Sequence, residues 1–205
     1  MKRQLQTVVY GAVVLASLSS LSACAPMILG GAVMTGVVAT DRRTTGTQVE
    51  DETIEFKVAN AVRQEMGERI HLNVTSFNRQ VLLTGEVRTA ADKERAEKIA
   101  SSQENVTAVV NDLVVMPISS LTQRSKDVVL TGRIKAAFVD AKDLQVNAFK
   151  VVTERGTVYL MGRVTPREAK RATEIVRGMS GVSKVVRVFE EIPEQELQRL
   201  SQPSK

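Results

Sequence analysis

Histidine and cysteine, the residues that most often carry nucleophilic or metal chemistry, occur once each in 205 residues, as His71 and Cys24. A zinc site, a cysteine cluster, an internal disulfide or a Cys-His or Ser-His pair with a spare ligand needs more than that. Acidic residues are numerous, and those with Lys or Arg three or four positions on (Glu65, Asp92, Glu94, Glu168, Glu174 and Glu196) have the spacing of a solvated helix face rather than of an acid/base pair. His71 stands alone beside an expected strand, so it reads as a surface or edge residue. Gly30-Gly31 lacks the Gly-Lys-Ser/Thr ending of a phosphate loop. Aromatics make up 3% of the chain and Trp is absent, which argues against stacking platforms for bases or sugars and against a haem pocket. These counts point away from an enzyme and predict no cofactor, no metal and no small-molecule substrate. What remains is acylation of one cysteine and the chemistry of charge.

Cys24 sits where acylation would need it. Lys2 and Arg3 precede an apolar run, Val8–Leu18, and Leu21-Ser22-Ala23 lead into the cysteine. That order of charge, apolar core and small residues is a secretory signal, with an apolar stretch short of the ~20 residues of a spanning helix. The string LSAC resembles the bacterial lipobox, in which the cysteine is lipidated and becomes the first mature residue. A buried structural cysteine, or a signal anchor continued through Ala25–Ala39, is the alternative. On the lipoprotein reading 1–23 is a signal peptide and 24–49 a lipidated tether, and removal of Lys2 and Arg3 lowers the net charge from +5 to +3. Ala25 rather than Asp after the cysteine implies, by resemblance to Gram-negative lipoproteins, an outer-membrane address facing the periplasm.

The rest of the chain is one module written twice. Val81-Leu82-Leu83-Thr84-Gly85-Glu86-Val87 aligns with Val158-Tyr159-Leu160-Met161-Gly162-Arg163-Val164 at an offset of 77; beyond Thr89 and Thr165 the offset is 76. The first copy covers 50–116 and the second 126–192. Pro117–Ser125 reads as a polar linker and 193–205 as a polar tail. Each copy predicts a helix with an i, i+4 apolar pattern (51–66, 126–140), a hairpin, a capped helix (90–103, 166–179) and a last strand (107–116, 183–192). The order α-β-β-α-β is an α+β fold, two helices packed on one face of a small mixed sheet. Gly85 and Gly162 mark a bulge or a close approach of a helix to the strand.

The strand V-x-L-x-G-x-V, the following Ala/Glu-rich helix and the closing V-x-x-V-V strand resemble a BON domain, here in tandem. With the lipobox-like start and the segment Ala39–Asp51 (ATDRRTTGTQVED), the chain resembles the DolP family of outer-membrane lipoproteins. The resemblance implies peripheral binding of anionic, phosphatidylglycerol-like phospholipid, a role in outer-membrane integrity and enrichment at division sites.

Charge counting leads to the same place. Residues 50–116 carry eight basic and twelve acidic residues, and 126–192 carry thirteen and eight. A basic module beside an acidic one on a lipid-anchored chain points the basic one at an anionic surface. In the helix 126–140, Leu130, Ile134, Ala137 and Phe138 form the stripe that should pack on the sheet. The other side offers Val128, Val129, Gly132, Arg133 and Lys135, cations for phosphate and valines for the acyl boundary, and these are the expected phospholipid-binding residues. The matching helix of the first copy offers Glu52, Glu55, Lys57, Arg63 and Glu65, a surface that would repel anionic lipid. In the DolP family the lipid contact is attributed to this same helix of the second domain. An ordinary core helix with solvated charges is the alternative for any one residue. A pI near 9.5 would also suit nucleic acid, but interleaved aromatics are missing and the signal exports the chain. The competing functional class is an adaptor for an envelope assembly or peptidoglycan-remodelling machine.

Overall fold

The structure, a computed structural model, describes residues 41–67 and 70–200. The first repeat comprises α1 (Thr45–Met66), β1 (His71–Phe77), β2 (Gln80–Val87), α2 (Ala90–Ser101), β3 (Ala108–Asn111) and β4 (Val114–Val115). The second comprises α3 (Leu121–Asp140), β5 (Phe149–Glu154), β6 (Thr157–Val164), α4 (Pro166–Arg177) and β7 (Lys184–Glu191), and α5 (Glu194–Leu200) follows. β2 pairs antiparallel with β1 and parallel with β3 and β4; β6 pairs antiparallel with β5 and parallel with β7. Both sheets are mixed, with the middle strand of the repeat motif at the centre, and Gly85 and Gly162 occupy corresponding positions on β2 and β6.

Local chemistry explains the elements. Asn78 and Arg79 take left-handed φ of 49° and 66°, and Arg155 and Gly156 take 51° and 73°, the two-residue turn whose twist suits a hairpin. Thr89 and Thr165 each accept the N3 amide of α2 and α4, while Asp92 and Glu168 reach back to the cap, closing two capping boxes. The last strand of the first repeat is not continuous over 107–116: it breaks at Asp112-Leu113, where Leu113 turns into the core and its amide bonds to Asn111 Oδ1 at 3.2 Å. Two boundaries also move. Ser120 caps α3 by accepting from Gln123 N, so Leu121–Ser125, read as linker, are helix. Thr44 caps α1 in the same way, so the segment read as tether ends inside the fold. The close approach at Gly85 is by a strand and not a helix: at φ +121°, an added Cβ would collide with the His71 carbonyl oxygen.

Each sheet packs one face on its own helices. In the first repeat Ile54, Val58 and Val62 of α1 meet Val81, Leu83 and Val87; in the second Leu130, Ile134 and Phe138 of α3 meet Val158, Leu160 and Val164. Because side chains alternate along a strand, Leu82 of β2 and Tyr159 and Met161 of β6 must face the other way. They meet there. Phe77, Leu82, Tyr159, Met161 and Val188 form a third core, in which the two sheets lie face to face. The central strands are thus buried on both sides, which accounts for their almost unbroken apolar runs.

Polar groups fasten this seam. Arg155 donates to Glu86 at 2.6 Å, Asn73 to Glu154 at 2.7 Å, Lys150 to Glu55 at 2.6 Å and the Tyr159 hydroxyl to Asp112 at 2.7 Å. Glu55, expected on the outer face of α1, is therefore spent on the second repeat. Arg42, ahead of α1, reaches Glu168 with two bonds of 2.7 and 2.8 Å and the Arg163 carbonyl at 2.7 Å. Its neighbour Arg43 binds Asp41 and Asp51 and lies 4.2 Å over the Phe77 ring. The second half of the ATDRR string is a clasp across both repeats.

Candidate functional site

α3 presents the expected residues because its inner stripe is occupied elsewhere. Leu130, Ile134 and Phe138 are buried on the sheet, with Ala137 at the margin. Asp127, also buried, accepts the amides of Arg155 and Gly156, each at 2.9 Å, and so locks the helix to the β5–β6 turn. Val128, Val129, Gly132, Arg133 and Lys135 are all exposed, Val128 to 72%. At about 100° per residue, Val128 and Lys135 fall within roughly 20° of each other and Gly132 about 40° from Val128. Val129 and Arg133 lie about 100° and 140° round from Val128 on the same side. The five thus share one exposed face, but as two strips: an outward one with Val128, Gly132 and Lys135, and a flank with Val129 and Arg133. On that flank Arg133 donates to the Ser180 carbonyl at 3.3 Å.

Val139, exposed, lies close to Val128 in angle and extends the outward strip. Sequence reasoning missed other neighbours: Leu121, read as linker, continues the same strip two turns before Val128. Met116 and Ile118, just ahead of the helix, are exposed as well. On α1, Phe56 is 69% exposed, and Val49, two turns before it, shares its strip. Both lie off the inner stripe of Ile54, Val58 and Val62, which was a signal in the sequence that went unused.

Among the described residues, the metal-ligating donors that come close together are those of His71, Glu86 and Glu154, within 4.8 Å of one another. They are already committed. His71 Nδ1 lies 2.8 Å from Glu86, whose other oxygen takes Arg155, and Glu154 accepts from Asn73. Burial pushes the Glu86 carboxyl up, but Arg155 and His71 overcome it and hold it below its ordinary value. Glu154, with weaker support, stays raised by burial. A cation here would displace a guanidinium, so the cluster serves as a buried polar joint between the repeats. Cys24 lies outside the described residues. Among those described, no helix is long and apolar enough to cross a membrane.

The BON domain model matches residues 50–117 and 126–192. Over 181 residues the chain is 41% identical to "Outer membrane lipoprotein DolP" of Haemophilus influenzae, covering 87% of this chain and 93% of that one. The chain belongs to the DolP family of dual BON proteins. Other relatives are more distant. The "21 kDa hemolysin" of Actinobacillus pleuropneumoniae is 34% identical over 73% of this chain and 78% of its own. "Osmotically-inducible protein Y" of Escherichia coli is 30% identical over 68% and 72%. Within this DolP-family chain the repeats are equivalent in frame and opposite in outer charge, which makes the second repeat the place to look for a ligand of negative charge.

Proposed function

We propose that this DolP-family protein is an outer-membrane lipoprotein, acylated at Cys24 and facing the periplasm. On this reading its second BON domain binds anionic phospholipid through α3, supporting envelope integrity and concentrating at the division site. The observation that carries the reading is the outer face of α3, where exposed valines alternate with Lys135 and Arg133 while the helix is pinned by its inner stripe and Asp127. Near an anionic surface each such cation contributes about 1 kcal/mol, and the valines need only reach the acyl boundary. The adaptor reading has its own support in exposed Val49 and Phe56 on α1.

Two measurements test the proposal. Cys24→Ser should leave a precursor that does not fractionate with the outer membrane; an acylated, membrane-embedded product would overturn the anchor. For phospholipid, residues 25–205 without acyl groups retain every contact described above and can be sedimented with vesicles. The chain should partition onto vesicles containing phosphatidylglycerol, less so as salt rises, and not onto phosphatidylcholine alone. Equal partition onto both, or onto neither, would leave the adaptor reading in its place.

A further inference from the structure

The two sheets end differently at their last strands. β7 pairs with β6 on one side, and no strand among the described residues pairs with the other. In a parallel ladder alternate residues of a strand serve one neighbour. The Ile192 amide, directly after β7, donates to the Val164 carbonyl at 3.0 Å, so the even positions of β7 serve β6. Val185, Arg187, Phe189 and Glu191 therefore turn their amides and carbonyls outward. This is an open edge eight residues long, of the kind that natural sheets blunt. The first repeat blunts its own. There β3 stops after four residues and Leu113 turns into the core. The Asn111 side chain hooks back on α2, donating to the Lys93 carbonyl at 2.9 Å and to Glu97 at 3.0 Å.

Charge changes along with the edge. The strand registers make Arg187 the counterpart of Asn111 and Lys184 that of Ala108. The two capping boxes align Lys170 with Glu94, Thr173 with Glu97 and Arg177 with Ser101. Arg187 thus stands beside Thr173, as Asn111 stands beside Glu97. Lys170 and Arg177 lie three before and four after Thr173, on that same side of α4. Lys184 flanks the edge from the opposite face of the sheet, because side chains alternate along a strand. All four cations are exposed, and none has a carboxylate partner among the described residues. Against these four stand two acids, Glu174 on α4 and Glu191 at the far end of β7. Where the first repeat closes its edge with an uncharged hook, the second leaves it open and lines it with cations.

We infer that β7 takes an extended acidic segment of a partner protein as an added strand. The outward main-chain groups of Val185, Arg187 and Phe189 supply the pairing. Arg187, Lys170 and Arg177 on one face, and Lys184 on the other, select carboxylates at alternate positions of the incoming chain. Two copies of β7 would set one positive edge against another, so a second copy is the poorer occupant. The inference rests on the adaptor reading and makes no use of α3, so vesicle binding bears on neither its success nor its failure. The test titrates residues 25–205 with a ten-residue peptide of alternating glutamate and valine, read by amide shifts and hydrogen exchange in NMR. Saturable shifts and slowed exchange should appear at Val185, Arg187 and Phe189. Lys170→Glu with Arg187→Glu, both exposed positions, should weaken binding at least tenfold with circular dichroism unchanged. Lys57→Glu with Arg63→Glu on α1 should leave it within twofold. A peptide of alternating glutamate and proline has the same charge, but proline fixes φ and removes half of the donors, so it should bind at least tenfold more weakly. Equal binding of the two peptides would overturn strand addition and leave a patch of charge. Absence of saturable shifts on β7 would overturn the site, while an adaptor surface at Val49 and Phe56 would survive that result. A concentration-dependent dimer that protects the same amides without peptide would overturn the choice of partner in favour of a second copy.

Discussion

Asp51 on α1 and Asp127 on α3 each reach across to the hairpin of their own repeat and accept two turn amides there. Gly85 and Gly162 each let a backbone carbonyl come close to the central strand, that of His71 at the start of β1 and that of Ala148 just before β5. At such positions the two repeats agree because the fold requires it. They differ on the outer helix faces: Glu52 stands where Val128 does, Glu50 where Lys126 does and Phe56 where Gly132 does. An internal duplication is its own control. Residues kept in both copies describe the frame, and residues changed at exposed, register-equivalent positions mark where the copies have taken different partners.

The comparison breaks first at the glycines if it is wrong. Gly85→Ala and Gly162→Ala each put a methyl group against a backbone carbonyl, and each should cost about 4 kcal/mol or prevent folding. A denaturant melt in which one is tolerated would mean that the two central strands are not equivalent. Arg42→Ala should cost about 3–5 kcal/mol, because it leaves the buried Glu168 carboxylate without its cation. Burial pushes Glu168 up, yet the Arg42 and Thr165 bonds bring it below its ordinary value. A carboxyl depressed by folding contributes stability above its unfolded pKa of about 4.3, and that contribution is lost as pH falls through the folded value. The gap between Arg42→Ala and its parent should therefore narrow on acidification; a gap independent of pH would dismiss the ion pair as the cause.

Smaller still are the two aspartates. Asp127→Asn should cost about 1.5–3 kcal/mol through its weakened turn bonds. Asp51→Asn should cost more, since Asp51 also binds Arg43 at 2.8 Å and the Ser76 hydroxyl at 2.7 Å. Equal losses in urea melts would show that the clasp at Arg43 adds nothing.

Much of the frame could be read from the chain. The offset repeat, the i, i+4 stripes of Ile54-Val58-Val62 and Leu130-Ile134-Phe138, and the Thr165-Pro166-Glu168 cap are local patterns, and local patterns survive in sequence. The seam between the sheets was not legible. Leu82, Tyr159 and Met161 belong to runs that are apolar on both faces, and alternation carries no signal where both faces are buried. The pairs Arg155–Glu86 and Arg42–Glu168 join residues 69 and 126 positions apart, and one sequence offers no rule for finding them. The outer face of α3 was legible as a face but not as two strips with a groove beside one of them, because the groove is completed by Met116 and the 180–183 loop. The seam also changes how function should be measured. A separated second domain would expose Tyr159, Met161 and Val188, each worth roughly 1.5–3 kcal/mol if fully buried in the pair, so both repeats belong in every assay.

The most direct test of the division between the repeats is a matched pair of charge reversals, read by sedimentation of residues 25–205 with phosphatidylglycerol vesicles. Arg133→Glu with Lys135→Glu alters only exposed residues of α3, and Lys57→Glu with Arg63→Glu alters only exposed residues of α1. Each reversal changes the net charge by the same amount. At about 1 kcal/mol per basic residue lost, plus new repulsion, the α3 reversal should weaken binding at least tenfold at low salt. That difference should shrink as the Debye length falls below about 8 Å, and the α1 reversal should change binding less than threefold. Equal weakening by both would contradict a dedicated role for α3 and leave net charge as the only determinant.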